Sequence, residues 1–485
     1  MPRFLKPCFR IACFLTLALP AQAADVPAVS DLQLLHLLNR TSFGPAPGDM
    51  ETVRREGVET YIEQQLHPDL LPKPEELGSR LRQLTTLDAS MAELVNEYDV
   101  PQETKQRLSD DERKELNRRQ NIVVVELSAA KLLRAILSPA QLQEVMTDFW
   151  FNHFNVFAEK GLDKLLIGSF ERDAIRPYAL GKFRDLLQAT AHHPAMLVYL
   201  DNYLNTDPNS LIARGKKIGI NENYARELME LHTLGVNGGY TQDDVTALAH
   251  ILTGFGLGEG RSPAQHASFY FEPRRHDFTD TTLLNTRIRG GGEEEIDWTL
   301  DLLARHPSTA NHIALELAQY FIADQPPKGL VDRLAATFRS SDGDIAATLK
   351  ALFYAPEFWD ETNRNNKFKP PFRYVASALR AANVVPPGDT KMLQGAIAQM
   401  GEPLYRCQTP NGYSNTNDQW LNSDALLKRI NFAKALSAFL STTAVSSIES
   451  DMGSTWKPNT LTIVQAAAPN LQPALLLSSP EFMYY

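Results

Sequence analysis

Three polar side chains follow one face of a segment that is otherwise almost entirely apolar. Asp148, Asn152 and Asn155 recur at i, i+4 and i+7 within residues 139–157, which we predict to form a buried, aromatic-rich helix. A buried polar group without a partner costs about 1–3 kcal/mol, so these side chains must contact other polar groups. A carboxylate that is oriented by neighbouring amides is suited to general acid–base catalysis.

A second polar face is predicted in a later helical segment. Its members are Asn223, Arg226, Glu227 and Glu230. His232 lies nearly opposite these carboxylates, which excludes the Glu-x-x-His pattern of di-iron helices, because that pattern needs both groups on one face. We expect Arg226 to pair with Glu230 one turn later.

We hypothesise that the two polar faces meet and form one pocket. The predicted catalytic residues of that pocket are Asp148, Glu227, Glu230 and His153. Carboxyl groups in environments of unequal polarity supply the acid and the base of a hydrolase, and the same oxygen and nitrogen donors are ligands for a divalent metal. The alternative is a buried network of Arg226 and the carboxylates that fixes helix packing without catalysis.

Further residues are predicted to bind a substrate around these groups. They are Trp150, Asn152, Asn223, Arg226, His276 and Asp277. His276 and Asp277 follow an aromatic stretch in a predicted loop, where functional residues concentrate, and His153 and His276 are the strongest imidazole candidates. The chain has no His-Glu-x-x-His, Gly-x-Ser-x-Gly, P-loop or Gly-x-Gly-x-x-Gly motif, so nucleotide binding and the common serine-hydrolase class are unsupported.

The elements that must position these residues are mainly helical. We predict one large multi-helix domain over residues 24–485, with at most a few short strands around residues 268–293. The strongest strand pattern is the aromatic stretch at 268–273, which ends at a proline. Residues 286–293 are rich in glycine and predict a loop or hairpin.

Local signals mark several helix starts. Capping patterns occupy residues 138–141 and 241–244, and Pro307 and Pro356 are placed as first helical residues. Residues 99–121 carry many charges of both signs, which predicts a solvated helical excursion from the domain.

The first 23 residues have the pattern of a cleavable signal peptide. Basic residues precede an apolar run at 11–20, and an Ala-x-Ala motif follows at 21–23. The apolar run is too short to span a bilayer, which takes about 20 residues. We predict cleavage after Ala23, a periplasmic or secreted mature chain, and no transmembrane span in that chain.

Cleavage changes the cysteine content and the charge. It removes Cys8 and Cys13 and leaves Cys407, so the mature chain can form no internal disulfide and no thiolate-rich metal site. The full chain has 485 residues, of which 43% are hydrophobic and 22% charged, as is typical of a globular protein. Its net charge of −10 becomes −13 without the three basic residues of the leader, and this acidity argues against nucleic acid as a partner.

Several short motifs together resemble those of a bacterial family. They are NRTSFGP at 39–45, WFNHF at 150–154, residues 221–235, YTQDDV at 240–245, LTGF at 252–255, His276-Asp277, HPSTA at 306–310 and PNGY at 410–413. In combination they resemble the family called domain of unknown function 1800 over about residues 31–485. The resemblance implies a largely helical, often exported protein. It also implies an exported protein of the domain of unknown function 1501 family as a partner, because the two genes are commonly adjacent. No established reaction comes with it.

Three functions follow from these residues. The leading one is an exported enzyme, either a hydrolase or a metal-assisted enzyme, that acts on an envelope or extracellular substrate through the carboxylate and histidine pocket. The second is a non-catalytic envelope protein that binds a partner or a glycan, or assists its maturation. The third is a metal-dependent oxidoreductase, although no ligand motif supports it. The predicted cofactor class is a divalent metal held by oxygen and nitrogen ligands.

Overall fold

Helices make up most of the fold, as the sequence periodicity predicts. The computed structural model describes residues 29–258, 267–440 and 442–485, and the predicted signal peptide lies outside them. The α-helices are, in chain order, α1 (Asp31–Thr41), α2 (Asp49–Glu56), α3 (Val58–Leu66), α4 (Glu75–Leu81), α5 (Met91–Tyr98), α6 (Gln102–Lys105), α7 (Asp110–Leu137), α8 (Gln141–His153), α9 (Asp163–Ser169), α10 (Phe183–Ala191), α11 (Pro194–Tyr199), α12 (Asn223–Glu230), α13 (Gln242–Ile251), α14 (Glu293–Ala304), α15 (Pro307–Phe321), α16 (Lys328–Ser340), α17 (Ile345–Phe353), α18 (Pro356–Trp359), α19 (Pro371–Ala381), α20 (Lys391–Gln399), α21 (Ser423–Ser437), α22 (Thr442–Met452), α23 (Pro458–Ala466), α24 (Gln472–Leu477) and α25 (Pro480–Met483).

The described strands are short and form two antiparallel pairs. They are β1 (Phe255–Leu257), β2 (Phe269–Phe271), β3 (Thr281–Leu283) and β4 (Thr286–Ile288). β1 pairs with β2, and β3 pairs with β4 through a tight turn in which Leu284 and Asn285 have φ values of 50° and 61°. The prediction of a mainly helical domain with a few short strands around residues 268–293 is confirmed, and β1 is an additional strand just before that range.

Helix starts follow local chemistry at three of the four predicted places. Thr241 and Asp244 form a reciprocal capping box at the start of α13. Pro307 and Pro356 begin α15 and α18, where a missing backbone N–H costs nothing. These prolines orient the two helices without help from distant residues.

The capping pattern at residues 138–141 does not start a helix as predicted. α8 begins at Gln141, and no side chain caps it. The Gln141 amide instead donates to the carbonyl oxygens of Ala135 and Ser138 and accepts a hydrogen bond from the backbone N–H of Phe43. The bonds to Ala135 and Ser138 join the end of α7 to the start of α8. The bond from Phe43 is a long-range contact at the position where a local cap was predicted.

A single apolar core extends from the first helix to the last. Leu34 of α1 and Met483 of α25 belong to the same packed cluster, and α8 passes through it with Phe149, Trp150 and Phe154 buried. Each such side chain stabilises the fold by roughly 1.5–3 kcal/mol, so α8 is a rigid support for its polar residues. Within the described ranges, none of the helices combines the length and the apolarity that a membrane crossing requires.

The charged segment at residues 99–121 forms α6 and the first turns of α7. Ser109 and Glu112 make a capping box, Arg118 pairs with Glu115 at 2.7 Å, and residues 110–115 are exposed. The second half of α7 is buried. One long helix thus joins a solvated end to the wall of the candidate site.

Candidate functional site

A cleft opens beside the face of α8 that carries Asp148 and Asn152. Its walls come from α7, α8, α15, the start of α19 and residues 402–420, and about 50 Å³ inside it is open to a water-sized group. Its aromatic walls are formed by Phe149, Phe151, Tyr320, Tyr405, Tyr413 and Trp420. A cleft with apolar walls and a few convergent polar groups is the usual form of a small-molecule site.

Asp148 lines this cleft, and its carboxylate forms an ion pair with Lys131. Its Oδ1 lies 2.5 Å from Nζ of Lys131, which comes from the buried half of α7. The ammonium group also lies 5.6 and 5.1 Å from the ring centres of Phe151 and Tyr405, so aromatic faces replace part of its hydration. Burial alone would lower the pKa of Lys131, but nearby carboxylates, Asp148 foremost, raise it above its ordinary value.

Glu402 places a second carboxyl group in the same cleft. Burial, and after it the charge of Asp148, raises the pKa of Glu402 to about 8. The backbone N–H of Phe372, at the start of α19, donates to its Oε2 at 2.7 Å and opposes this shift. At neutral pH Glu402 therefore holds a proton that it can donate, next to a carboxylate that is paired with a cation.

Asn152 and Asn155 hold the wall opposite α8. Asn152 accepts a hydrogen bond from the backbone N–H of Tyr413 at 2.7 Å and donates to the carbonyl of Tyr413 at 2.8 Å. Asn155 donates to the carbonyls of Cys407 and Thr409 at 3.0 and 2.9 Å. Asn152 lines the cleft, and its amide is committed to backbone groups that it positions; its predicted role in substrate binding stays a prediction.

Gly412 allows this wall to approach α8 closely. Its φ is +65°, and a Cβ atom there would come within 2.4 Å of the carbonyl oxygen of Asn152. We expect Gly412→Ala to lower the free energy of unfolding by about 2–3 kcal/mol, because it adds backbone strain and a collision. Denaturant unfolding measures the change. Gly388→Ala is the matched control, since nothing lies within 4 Å of that position; equal losses in the two variants would contradict the close approach.

A buried ionic network supports the floor of the cleft. Tyr405 donates from its hydroxyl to Glu171 at 2.6 Å, and Arg176 donates to Glu171 at 3.3 Å and to Glu144 at 2.9 Å. Burial alone would raise the pKa of Glu171, but its cationic neighbours, Arg176 first and Lys131 next, hold it below its ordinary value. The network therefore connects a lining ring to two buried carboxylates and their cations.

The second predicted polar face does not meet the first one. None of the residues that line the cleft comes from α12. Arg226 donates to Glu222 at 3.1 Å, one turn before it, and to Gln242 at 2.9 Å, so the predicted pair with Glu230 is wrong. Asn223 is exposed at the start of α12. Asn152 and Asn155 instead form hydrogen bonds with the backbone of residues 407–413. This segment is far from α12 in the sequence.

The carboxylates of α12 have contacts outside the described lining of the cleft. Glu230 accepts a hydrogen bond from the hydroxyl of Tyr240 at 3.0 Å. Burial, and next the charge of Glu230, raises the pKa of the half-buried Glu227. Glu227 is near enough to Tyr199 to raise the pKa of its phenol, which burial raises more strongly, and Tyr199 donates to the carbonyl of Gln408 at 2.9 Å. Glu227 thus lies near Tyr199, which contacts residues 402–420, but it is not among the described residues that line the cleft.

Trp150, which we predicted to bind substrate, lies in the core and is not among the described residues that line the cleft. Its side chain is fully buried, and its indole N–H donates to the carbonyl of Ala179 at 3.0 Å. Its apolar surface is therefore buried in the core, and its polar atom is hydrogen-bonded within the fold. The aromatic pattern of α8 predicted burial correctly, and burial is what removes Trp150 from the site.

His276 and Asp277 fasten a loop at a separate place. His276 is buried with Nδ1 2.7 Å from the carbonyl oxygen of Thr253, and the Asp277 carboxylate lies 2.7 Å from Nδ1 of His250. Both contacts tie the segment after β2 to the end of α13. The structure does not bring this pair to the cleft with Asp148, so its predicted role in substrate binding lacks geometric support.

His153 belongs to a second cluster of polar side chains, which are not among the described residues that line the cleft with Asp148. Its Nδ1 lies 2.6 Å from Oε2 of Glu316, and its Nε2 lies 3.2 Å from the carbonyl oxygen of His232. His312 precedes Glu316 by one turn of α15, and their side chains approach to 3.7 Å. Donor atoms of His153, His312 and Glu316 all lie within 4.8 Å of one another, a spacing at which one metal ion could contact all three.

Four residues of these two sites were not predicted from the sequence. Glu402 and Lys131 carry no local sequence signal. What distinguishes them is their closeness to Asp148 in the folded structure. His312 and Glu316 did carry one: an imidazole and a carboxylate four residues apart share a face of a helix. Together with His153, which comes from another helix, this pair forms a group of three potential metal ligands.

The sequence places this architecture in a known family. The family model described as protein of unknown function (DUF1800) matches residues 36–484. The chain therefore belongs to that family, which confirms the resemblance seen in its motifs. Comparison with curated proteins and with solved structures found no match.

Proposed function

We propose that this protein is an exported hydrolase that cleaves glycosidic bonds in a glycan of the envelope or the extracellular space. The observation that supports the proposal is the pairing of two unlike carboxyl groups in one aromatic-walled cleft. The pKa of Glu402 is about 8, so this carboxyl group is protonated at neutral pH. Asp148 lies 2.5 Å from the Lys131 ammonium. Glycoside hydrolysis characteristically uses one protonated and one charged carboxyl group.

The two carboxyl groups have complementary roles in this reaction. Glu402 is the general acid, which transfers its proton to the glycosidic oxygen as the bond from that oxygen to the anomeric carbon breaks. Asp148 stabilises the positive charge that develops on the anomeric carbon. Water then adds to this carbon and returns a proton to Glu402. Lys131 pairs with Asp148 and orients its carboxylate, and Asn152 holds the wall that closes the cleft.

Loss of either carboxyl group should slow hydrolysis at least 100-fold, because each takes part in breaking the bond. We would incubate the wild type, Asp148→Asn and Glu402→Gln with purified peptidoglycan and with a set of soluble polysaccharides, and measure new reducing ends. The wild-type rate should fall as pH rises above about 8, where Glu402 loses its proton.

Glu227→Gln is the matched control, since it removes a half-buried carboxylate that does not line the cleft. Its rate should equal that of the wild type. A large loss in Glu227→Gln with activity retained in Glu402→Gln would move the site to α12. Glycan binding without any new reducing ends would instead favour the second function, a non-catalytic envelope protein.

The compartment is part of this proposal and depends on residues 1–23. Their basic, apolar and Ala-x-Ala sections favour export and cleavage after Ala23. Fractionation of bacteria that express the full chain, followed by N-terminal sequencing, should recover a mature protein that begins at Ala24 outside the cytoplasm. An intact N-terminus in the cytoplasmic fraction would contradict export. Association with a protein of the domain of unknown function 1501 family stays a prediction.

A further inference from the structure

We infer that His153, His312 and Glu316 form a binding site for one divalent transition-metal ion of the Zn²⁺ type. The site is distinct from the Asp148–Glu402 cleft and does not depend on the proposed glycan chemistry. Two imidazole nitrogens and one carboxylate oxygen form a donor set that suits Zn²⁺ and Co²⁺, and three protein ligands leave a fourth position for water.

The geometry brings the three donors together from two rigid helices. His312 and Glu316 are one turn apart on α15, a helix of 15 residues, and His153 comes from the end of the buried helix α8. The donor atoms lie within 4.8 Å of one another. Because both helices are fixed by the core, small side-chain rotations are sufficient to bring the donors to bonding distance of one ion.

Both ring nitrogens of His153 face oxygen acceptors. Its Nε2 lies 3.2 Å from the carbonyl oxygen of His232 and donates to it. Its Nδ1 donates to Oε2 of Glu316 at 2.6 Å, and a metal ion bound between these two atoms would take the place of that proton. Metal-binding histidines usually donate their other N–H to a backbone carbonyl in this manner, which fixes the ring orientation.

The surroundings of the cluster combine burial with access. The side chain of His153 is 3% exposed, whereas those of His312 and Glu316 are 18% and 24% exposed. An ion can therefore reach the site from solvent while the inner ligand stays dry. Nε2 of His312 lies 3.0 Å from the carbonyl oxygen of Leu231, and a Cβ atom at Gly235 would lie 3.0 Å from its Nδ1.

An additional imidazole nitrogen lies next to the cluster without a partner. His232 is 1% exposed, and its Nε2 has no hydrogen-bond partner among the described residues. Its ring centre lies 6.1 Å from that of His153. Unpaired buried nitrogens are rare in folded proteins, so this nitrogen adds a polar group beside the three donors, although it does not belong to the group that lies within 4.8 Å.

Direct metal titration tests the site. We would strip the full mature protein with a chelator, titrate it with Co²⁺ while recording visible absorption, and displace the Co²⁺ with Zn²⁺ in a calorimeter. We expect one equivalent to bind to the wild type. His312→Gln and Glu316→Gln should each weaken binding at least 100-fold, and both side chains are partly exposed, so these variants should keep the wild-type circular dichroism spectrum.

The chain offers a matched control in an exposed pair at the end of α3. His67, which directly follows α3, and Glu63 are also four residues apart, with side chains 4.0 Å from each other; their side chains are 60% and 40% exposed, and neither belongs to a group of three potential ligands among the described residues. His67→Gln should bind Co²⁺ as the wild type does. Less than stoichiometric binding to the wild type, or equal affinities in His312→Gln and His67→Gln, would overturn the inference. Because the readout is metal binding alone, its failure would leave the glycan proposal intact.

Discussion

Arg176→Met should lower the free energy of unfolding by about 3–5 kcal/mol, the usual cost of removing one partner from a buried ion pair. The guanidinium donates to Glu144 and Glu171, whose side chains are only 8% and 2% exposed. Methionine fills a similar volume but leaves both carboxylates without their main cation. Because Tyr405 donates to Glu171 and lines the cleft, the same substitution should also loosen the cleft wall.

The pH dependence of this loss has a defined sign. In the wild type the pKa of Glu171 lies below the ordinary value of 4.5, so the stability it contributes is present above that value and is lost as pH falls through the folded pKa. Without Arg176, burial dominates and Glu171 accepts a proton at higher pH. The deficit of Arg176→Met should therefore shrink as pH is lowered from 7 to 4.

Urea unfolding at several pH values measures this effect. Arg118→Met is the control, because Arg118 pairs with Glu115 on the exposed part of α7, and surface ion pairs contribute little. We expect its unfolding curve to match that of the wild type. If Arg176→Met were as stable as Arg118→Met at pH 7, the network could not be supporting the cleft.

Local chemistry was predictable from the sequence, and long-range pairing was not. The alternation of aromatic and polar residues in α8 predicted both the burial of Trp150 and the need of Asp148 and Asn152 for partners. Those partners, Lys131 and the backbone of Tyr413, come from an earlier helix and from a distant wall segment. A helical period defines which face needs partners but not which part of the chain supplies them.

The same distinction explains why α12 was predicted to face α8, although its residues are not among those that line the cleft. The carboxylates of α12 have a clear face, but its arginine and carboxylates are satisfied nearby, by Glu222 and Tyr240 among others. Glu402 is a single acidic residue before a proline, and its pKa is set by burial and by Asp148. Only the tertiary structure creates that environment, so no sequence pattern could have singled out Glu402.

Glu402→Gln should change how the stability of the protein depends on pH. The glutamine resembles the protonated carboxyl group and remains neutral at every pH. The wild-type pKa is about 8 against an ordinary 4.5, and a raised carboxyl pKa contributes stability that is present below the ordinary value and is lost as pH rises through the folded value. The two proteins should therefore be similarly stable near pH 4.5, and the variant should be the more stable one above pH 8.

The size of this divergence follows from the shift in pKa. Each pH unit between the two values changes the difference by about 1.4 kcal/mol, so Glu402→Gln should gain about 3–5 kcal/mol on the wild type between pH 4.5 and 9. Urea unfolding across this range measures it, with Glu51→Gln, an exposed carboxylate on α2, as the control for the lost charge. A constant difference between the two proteins would show that Glu402 is ionised in the folded state, and an ionised Glu402 cannot be the general acid of the cleft.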